Sequence, residues 1–260
     1  MKKIMLIAPV VLILAAIVYL LLPKGAGQTS LRLYAGAGLR RAVDELASEF
    51  ETRTGIRVDP DYGGSGLILS RVRDDQAADL FMPGDVWYVD RLEKFAPGRV
   101  VGRATVAYFV PTIIVAKGNP KGIKSLVDLG RSDIHLALGK TDACQVGRVS
   151  ARILKGAGLD PAELKTQESL TVNELGVWVK MKTVDAAIVW DAIAANIADD
   201  VDKVAIPPEK NIISEVVLAR LSGSARPEKA ESFIKFVSGP DGQRILKEKG
   251  FRIDKPEIKK

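Results

Sequence analysis

The stretch Gly63-Gly64-Ser65-Gly66 sets one hydroxyl among three glycines, and an apolar run follows it. Three chemistries use a serine in such a place: nucleophilic attack, phosphate cradling, and hydrogen-bond donation to a bound anion. A nucleophile elbow needs G-x-S-x-G, and here Leu67 stands where the second glycine is required. The one histidine, His135, is the sole histidine base on offer, and it falls in a distant part of the chain. Phosphate cradling fares no better. Gly36-Ala37-Gly38-Leu39-Arg40-Arg41 carries the first two glycines of a dinucleotide fingerprint, but Arg41 occupies the place of the third, and no complete Walker pattern G-x-x-x-x-G-K-[ST] occurs. One cysteine, Cys144, excludes an internal disulfide and a thiolate zinc cluster.

Anion binding uses the same residues better. The first N–H groups of a helix lack internal partners, and the helix dipole adds partial positive charge there. Gly38 and Ser65 both precede predicted helices at the carboxyl ends of predicted strands, where ligands of open α/β sheets gather. A serine hydroxyl there can cap the helix and donate to an oxyanion. Further along, "GKTDACQVG" ends a strand and opens a helix, and Asn173 stands just before another, with Thr171 and Glu174 spaced as a capping box. Trp190 ends the strand "AAIVW", and Asp191 after it reads as a structural N-cap, since a carboxylate would repel an anion. Cys144 reads as a buried, inert thiol.

These loops need a scaffold, and the pattern supplies one. Leu31–Ala35 reads as a strand. Leu39, Ala42, Val43, Leu46 and Phe50 then form an amphipathic stripe that Gly55 stops. "IRVDPDY", a helix from about Leu67, "ADLFMPG" and a helix over Asp85–Phe95 continue the β-α alternation, which implies α/β sheets that are mostly parallel with helices on their faces. "TVAYFVPTIIVAKG" is too long for one strand and breaks at Pro111, as a segment crossing between two lobes would. A second series follows: "HLALG", a helix over Gln145–Gly156, a helix over Glu174–Lys182, "AAIVW", and a helix after Asp191. "ISEVVLARL" returns to the first lobe ahead of two terminal helices. The expected division is 1–29 leader and linker, 30–110 plus 207–260 lobe one, and 111–206 lobe two.

The net charge is +6. Without Lys2 and Lys3, which precede the leader, 36 basic residues face 32 acidic ones, interspersed along the chain. That is a solvated surface rather than a nucleic-acid stripe. Ile4–Leu22 carries no charge. As a helix it would span roughly 28 Å, close to the hydrocarbon core of a bilayer. It reads as an N-terminal membrane anchor, with a cleaved signal peptide as the alternative, and Lys2 and Lys3 keep its start in the cytoplasm. The rest is expected outside the cytoplasm, in the periplasm or on the cell surface.

The order of "LYAGAGLRRAVDELASEFE", "YGGSGLILSRV", "ADLFMPGDVWYVDRL", "GKTDACQVGRVSARIL", "AAIVWDAIA" and "FIKFVSGPDGQRILKEKGF" over residues 31–252 resembles the ModA-type molybdate/tungstate-binding proteins of ABC importers, of type II periplasmic-binding-protein fold. The resemblance implies a monomeric, non-enzymatic receptor that holds a tetrahedral dianion between two lobes and docks on a membrane permease. It implies roles for Ser65 (hydroxyl and N–H), for the N–H groups of Gly38, Val146 and Asn173, and for the side chain of Trp190. Gly38 stands where the pattern has serine and Trp190 where it has tyrosine, so a hydroxyl is lost at one and replaced by an indole N–H at the other. Sulfate, phosphate and a small organic acid remain alternatives, the last requiring an arginine such as Arg40 or Arg148 in the cleft. A hydrolase using Ser65 is the reading from a different class.

Overall fold

The computed structural model describes residues 30–257, so the expected N-terminal hydrophobic helix lies outside the described residues. Among those residues no helix is long and apolar enough to cross a membrane.

The chain opens with strand β1 (Leu31–Gly36), whose side chains are nearly all buried. A 3-10 turn over Ala37–Leu39 leads into helix α1 (Arg40–Thr54). α1 buries Ala42, Val43, Leu46 and Phe50, and Gly55 closes it with φ 68, the left-handed conformation that a glycine adopts without a Cβ penalty. β2 (Val58–Gly63), α2 (Ser65–Asp74), β3 (Leu80–Met82) and α3 (Val86–Phe95) complete the first series. β4 (Val100–Phe109) then runs into β5 (Pro111–Ala116) with only Val110 between them.

That single residue separates two sheets. β4 belongs to the first, of order β2-β1-β3-β10-β4, with β10 over Ser214–Leu221. β5 belongs to the second, of order β7-β6-β8-β5-β9, built from β6 (Leu136–Gly139), β7 (Thr166–Ser169), β8 (Ala186–Trp190) and β9 (Val201–Val204). Each sheet contains one reversed strand. β10 runs antiparallel to both β3 and β4, and β5 antiparallel to both β8 and β9; the other strands of each sheet share a direction. The reversed strands are the first after each crossing between sheets. Asn211, on the return path, ties the two crossings by donating from Nδ2 to the Pro111 carbonyl at 2.9 Å.

Helices α4 (Gln145–Gly156), α5 (Val172–Lys180) and the short α6 (Asp191–Ala195) accompany the second sheet. α5 starts two residues earlier than its apolar periodicity implies, which puts Asn173 inside the helix rather than before it. The terminal helices α7 (Pro227–Ser238) and α8 (Pro240–Glu248) pack back on the first sheet. There Phe233 meets Phe50 edge-on at 5.1 Å, and Phe251 beyond α8 lies 5.3 Å from Phe109. Two five-stranded sheets flanked by helices make a two-lobed α/β fold in which Phe109, the last residue of β4, sits at the crossing.

Candidate functional site

The carboxyl ends of β1, β2 and β3 face those of β6, β7 and β8, and the loops leaving them meet. They enclose a cavity of about 20 Å³. Gly38, Ser65, Val146 and Trp190 line it together, joined by Gly84, Phe109, Cys144, Gln145, Thr171 and Val172. Asn173 does not line it. Its Nδ2 instead donates across the lobes to the Ala37 carbonyl at 3.0 Å, and it borders a neighbouring cavity of about 220 Å³ with Arg40, Arg41 and Lys180.

Ser65 is the first residue of α2, and Gly64, in an extended conformation, is the N-cap. The capping role expected of the Ser65 hydroxyl is therefore absent, because a side chain already inside the first turn points away from the N–H groups it would have to reach. Its Oγ, buried, accepts from the Gly84 N–H at 3.0 Å. A hydroxyl has one proton and two lone pairs, so this contact leaves the proton for another acceptor. α4 begins at Gln145, with Cys144 as N-cap, and brings its first turn, where the helix dipole is positive, to the cavity wall.

Two caps expected in the second lobe form differently. Thr171 is the N-cap of α5 but makes no side-chain cap bond. The Ser169 hydroxyl instead takes the part Glu174 would play in a capping box, accepting from the Thr171 N–H at 3.0 Å, and donates to the Glu174 carboxylate. Asp191 is the first residue of α6, with Trp190 as the N-cap. The Asp191 carboxylate accepts from Ala192 N–H and from Arg252 Nε, and its own N–H donates to Val110 at 2.8 Å, so it braces the crossing and does not line the cavity. Burial raises its pKa, with Arg252 pulling the other way.

The glycines around Ser65 do something the sequence did not reveal. Gly66 N–H donates to the Ala143 carbonyl of the opposite lobe at 2.9 Å. A Cβ on Gly66 would lie 2.1 Å from the Asp142 carbonyl oxygen, and one on Gly64 would lie 2.4 Å from the carbonyls of both Ala143 and Leu170. These residues give the opposing backbone its approach rather than a ligand.

No lysine, arginine, aspartate or glutamate is among the residues lining the small cavity. The two candidate arginines are engaged elsewhere, Arg40 over the Tyr62 ring at 4.0 Å and Arg148 over the Trp87 ring at 3.6 Å. Cys144 is buried, which pushes its thiol up to about 11 and keeps it neutral. Gln145 was missed from sequence, although it opens a predicted helix. Its Nε2 donates to Ser214 Oγ at 3.0 Å, and its Oε1 is buried without a partner among the described residues. Phe109 and Gly84 were also missed. Their signals were the strand-breaking Val110-Pro111 pair and the Pro83-Gly84-Asp85 turn at the end of β3.

A serine nucleophile has no support in this arrangement. The partner of Ser65 Oγ is a backbone N–H, not a base. His135 lies at the amino end of β6 and the cavity at its carboxyl end, roughly 13 Å apart along the strand.

The family model of bacterial extracellular solute-binding proteins matches residues 31–252. The chain belongs to that family. It is 30% identical over 224 residues to a binding protein of Haemophilus influenzae, covering 85% of this chain and 90% of the relative. It is 27% identical over 229 residues to the molybdate-binding protein ModA of Mycobacterium tuberculosis, covering 86% and 85%. The fold matches that of the sulfate-binding protein SubI of Mycobacterium tuberculosis with a TM-score of 0.76, at 21% identity over 89% of each chain. The named relatives are binding proteins rather than enzymes.

Proposed function

We propose that this protein is the extracytoplasmic binding component of an ABC importer and closes its two lobes, 30–110 plus 207–260 and 111–206, on molybdate or tungstate. The observation that carries the reading is a cavity between the lobes lined by neutral groups, with a free serine proton and the N-terminal turns of α2 and α4. Neutral donors stabilise a dianion without a counter-ion because several N–H and O–H dipoles share its charge. The roughly 300–1,000 Å³ typical of drug-sized ligands far exceeds a space of about 20 Å³, which suits an inorganic ion better than an organic acid. In this reading Ser65 donates from its hydroxyl and N–H, Gly38 and Val146 donate from the backbone, and Trp190 offers its indole N–H. The Asn173 side chain acts as a latch on Ala37. The receptor works as a monomer, docks on a membrane permease, and is tethered by residues 4–22 unless the leader is removed.

One observation favours a second ligand. Gln145 Oε1 is an unpaired acceptor on a residue of the cavity wall. It would be repelled by a fully deprotonated oxyanion and would accept a hydrogen bond from the P–OH group of hydrogen phosphate. Calorimetric titration with molybdate, tungstate, sulfate and phosphate tests both readings. Tight binding of molybdate or tungstate supports the first, preference for phosphate supports the second, and no heat with any of the four refutes both.

A further inference from the structure

A Cβ built on Gly38 would lie 3.0 Å from Val172 Cγ1, 3.4 Å from Trp190 Cδ1 and 3.5 Å from Phe109 Cζ. The Trp190 and Phe109 rings are stacked, with centroids 4.7 Å apart and planes inclined by 11°. Gly38 lies in the turn after β1 and Phe109 ends β4, on the side of the first sheet, whereas Val172 opens α5 after β7 and Trp190 ends β8, on the side of the second. All four line the small cavity, and the three side chains are almost fully buried. The contact therefore exists only when the lobes are together.

We propose that Gly38, Phe109, Val172 and Trp190 form one wall that sets the size of the ligand, with Gly38 and Phe109 acting through the seat they give Trp190. The inference rests on the oxyanion reading and adds to it a selectivity element. The missing side chain at position 38 is what lets Val172 and the indole come down on the first lobe. Phe109 holds the indole flat, because a ring confined between a neighbouring ring and a backbone has one low-energy orientation. A flat indole fills volume that an anion would otherwise occupy. Position 38 and position 172 are consequently coupled: a Cβ at 38 meets Val172 Cγ1 first, at 3.0 Å, so the valine must give by a few tenths of an ångström within an almost fully buried wall.

The full chain and its Gly38→Ala, Val172→Ala, double and Trp190→Ala variants are to be titrated with molybdate, tungstate, sulfate and phosphate. Circular dichroism confirms that each is folded. Gly38→Ala is expected to weaken the preferred anion at least about tenfold, whereas adding it to Val172→Ala changes affinity no more than about threefold. Trp190→Ala is expected to compress the ratio between the best- and worst-bound anion at least about tenfold. Gly38→Ala binding as the parent does, independent effects at 38 and 172, or an unchanged ratio in folded Trp190→Ala would each overturn the wall. If the parent binds none of the four anions, the oxyanion reading fails by itself. The wall is then judged by thermal unfolding: a fall in Tm on Gly38→Ala that Val172→Ala abolishes supports it, and equal falls in both backgrounds refute it.

Discussion

Gly66→Ala offers a direct test of lobe closure. Gly66 is the second residue of α2, and its N–H reaches the Ala143 carbonyl at 2.9 Å across the cleft. An alanine methyl would lie 2.1 Å from the Asp142 carbonyl oxygen and 3.1 Å from Ala143 Cα. The nearest atoms are backbone, so they cannot swing aside as a side-chain tip would. Restoring ordinary contact separates the lobes by about an ångström and stretches the Gly66 hydrogen bond. Overpacking of this kind costs about 1–3 kcal/mol and loss of the bond about 0.5–1.5 kcal/mol. Together the closed form loses about 1.5–4.5 kcal/mol, which weakens anion affinity roughly 10- to 2,000-fold. With the lobes apart the methyl meets nothing from the opposite side, and alanine is the better helix former by up to about 1 kcal/mol, so Tm without ligand should hold or rise. Calorimetry on whichever of the four anions the parent binds reads the affinity, and differential scanning reads Tm. Gly156→Ala is the control, because nothing lies within 4 Å of a Cβ there. Affinity of Gly66→Ala within about twofold of the control would refute closure through this contact.

Three further outcomes are expected. Ser65→Ala removes the free proton and strips the buried Gly84 N–H of its acceptor; affinity should fall by about 1–3 kcal/mol, and calorimetry showing no change would rule out Ser65 as a donor. Cys144, with its thiol pushed up to about 11 by burial, should resist a disulfide reagent at about pH 8 in the folded protein and react on denaturation. Asp75 lies below the usual carboxylate range: burial pushes it up, but hydrogen bonds from Arg32 and Tyr34 and the Arg32 charge outweigh that. A depressed folded-state value makes the unfolded chain bind the extra proton, so this contribution is present above about pH 4 and is lost as pH falls below it. Asp75→Asn should lower Tm at neutral pH and flatten the acid limb of the Tm profile; an unchanged limb would show that the carboxylate is not its source.

The sequence by itself determined the elements and most of their order. Periodicity placed α1, α4 and the terminal helices, because an amphipathic stripe reports the buried face whatever the partner is. Pro111 marked the crossing, since a residue without an N–H interrupts a strand. Strand-to-helix junctions singled out Gly38, Ser65 and Trp190, and the family resemblance added Val146; the fold brings all four to one cavity, because loops at the carboxyl ends of such strands must converge. Tertiary structure decided the rest. Asn173 turns its amide onto Ala37, 136 positions away, and no local pattern encodes that partner. Ser169 replaces Glu174 as the acceptor of the Thr171 N–H at the start of α5, a choice that a spacing rule cannot rank. Gly64 and Gly66 look like ligand-loop glycines in the sequence, and only the opposing carbonyls of Asp142, Ala143 and Leu170 make them a seam between lobes. Gly38 looked like a lost serine. Beside Val172, Phe109 and Trp190 it is the room that the second lobe needs, because whether a side chain is missing or excluded depends on what occupies the space around it.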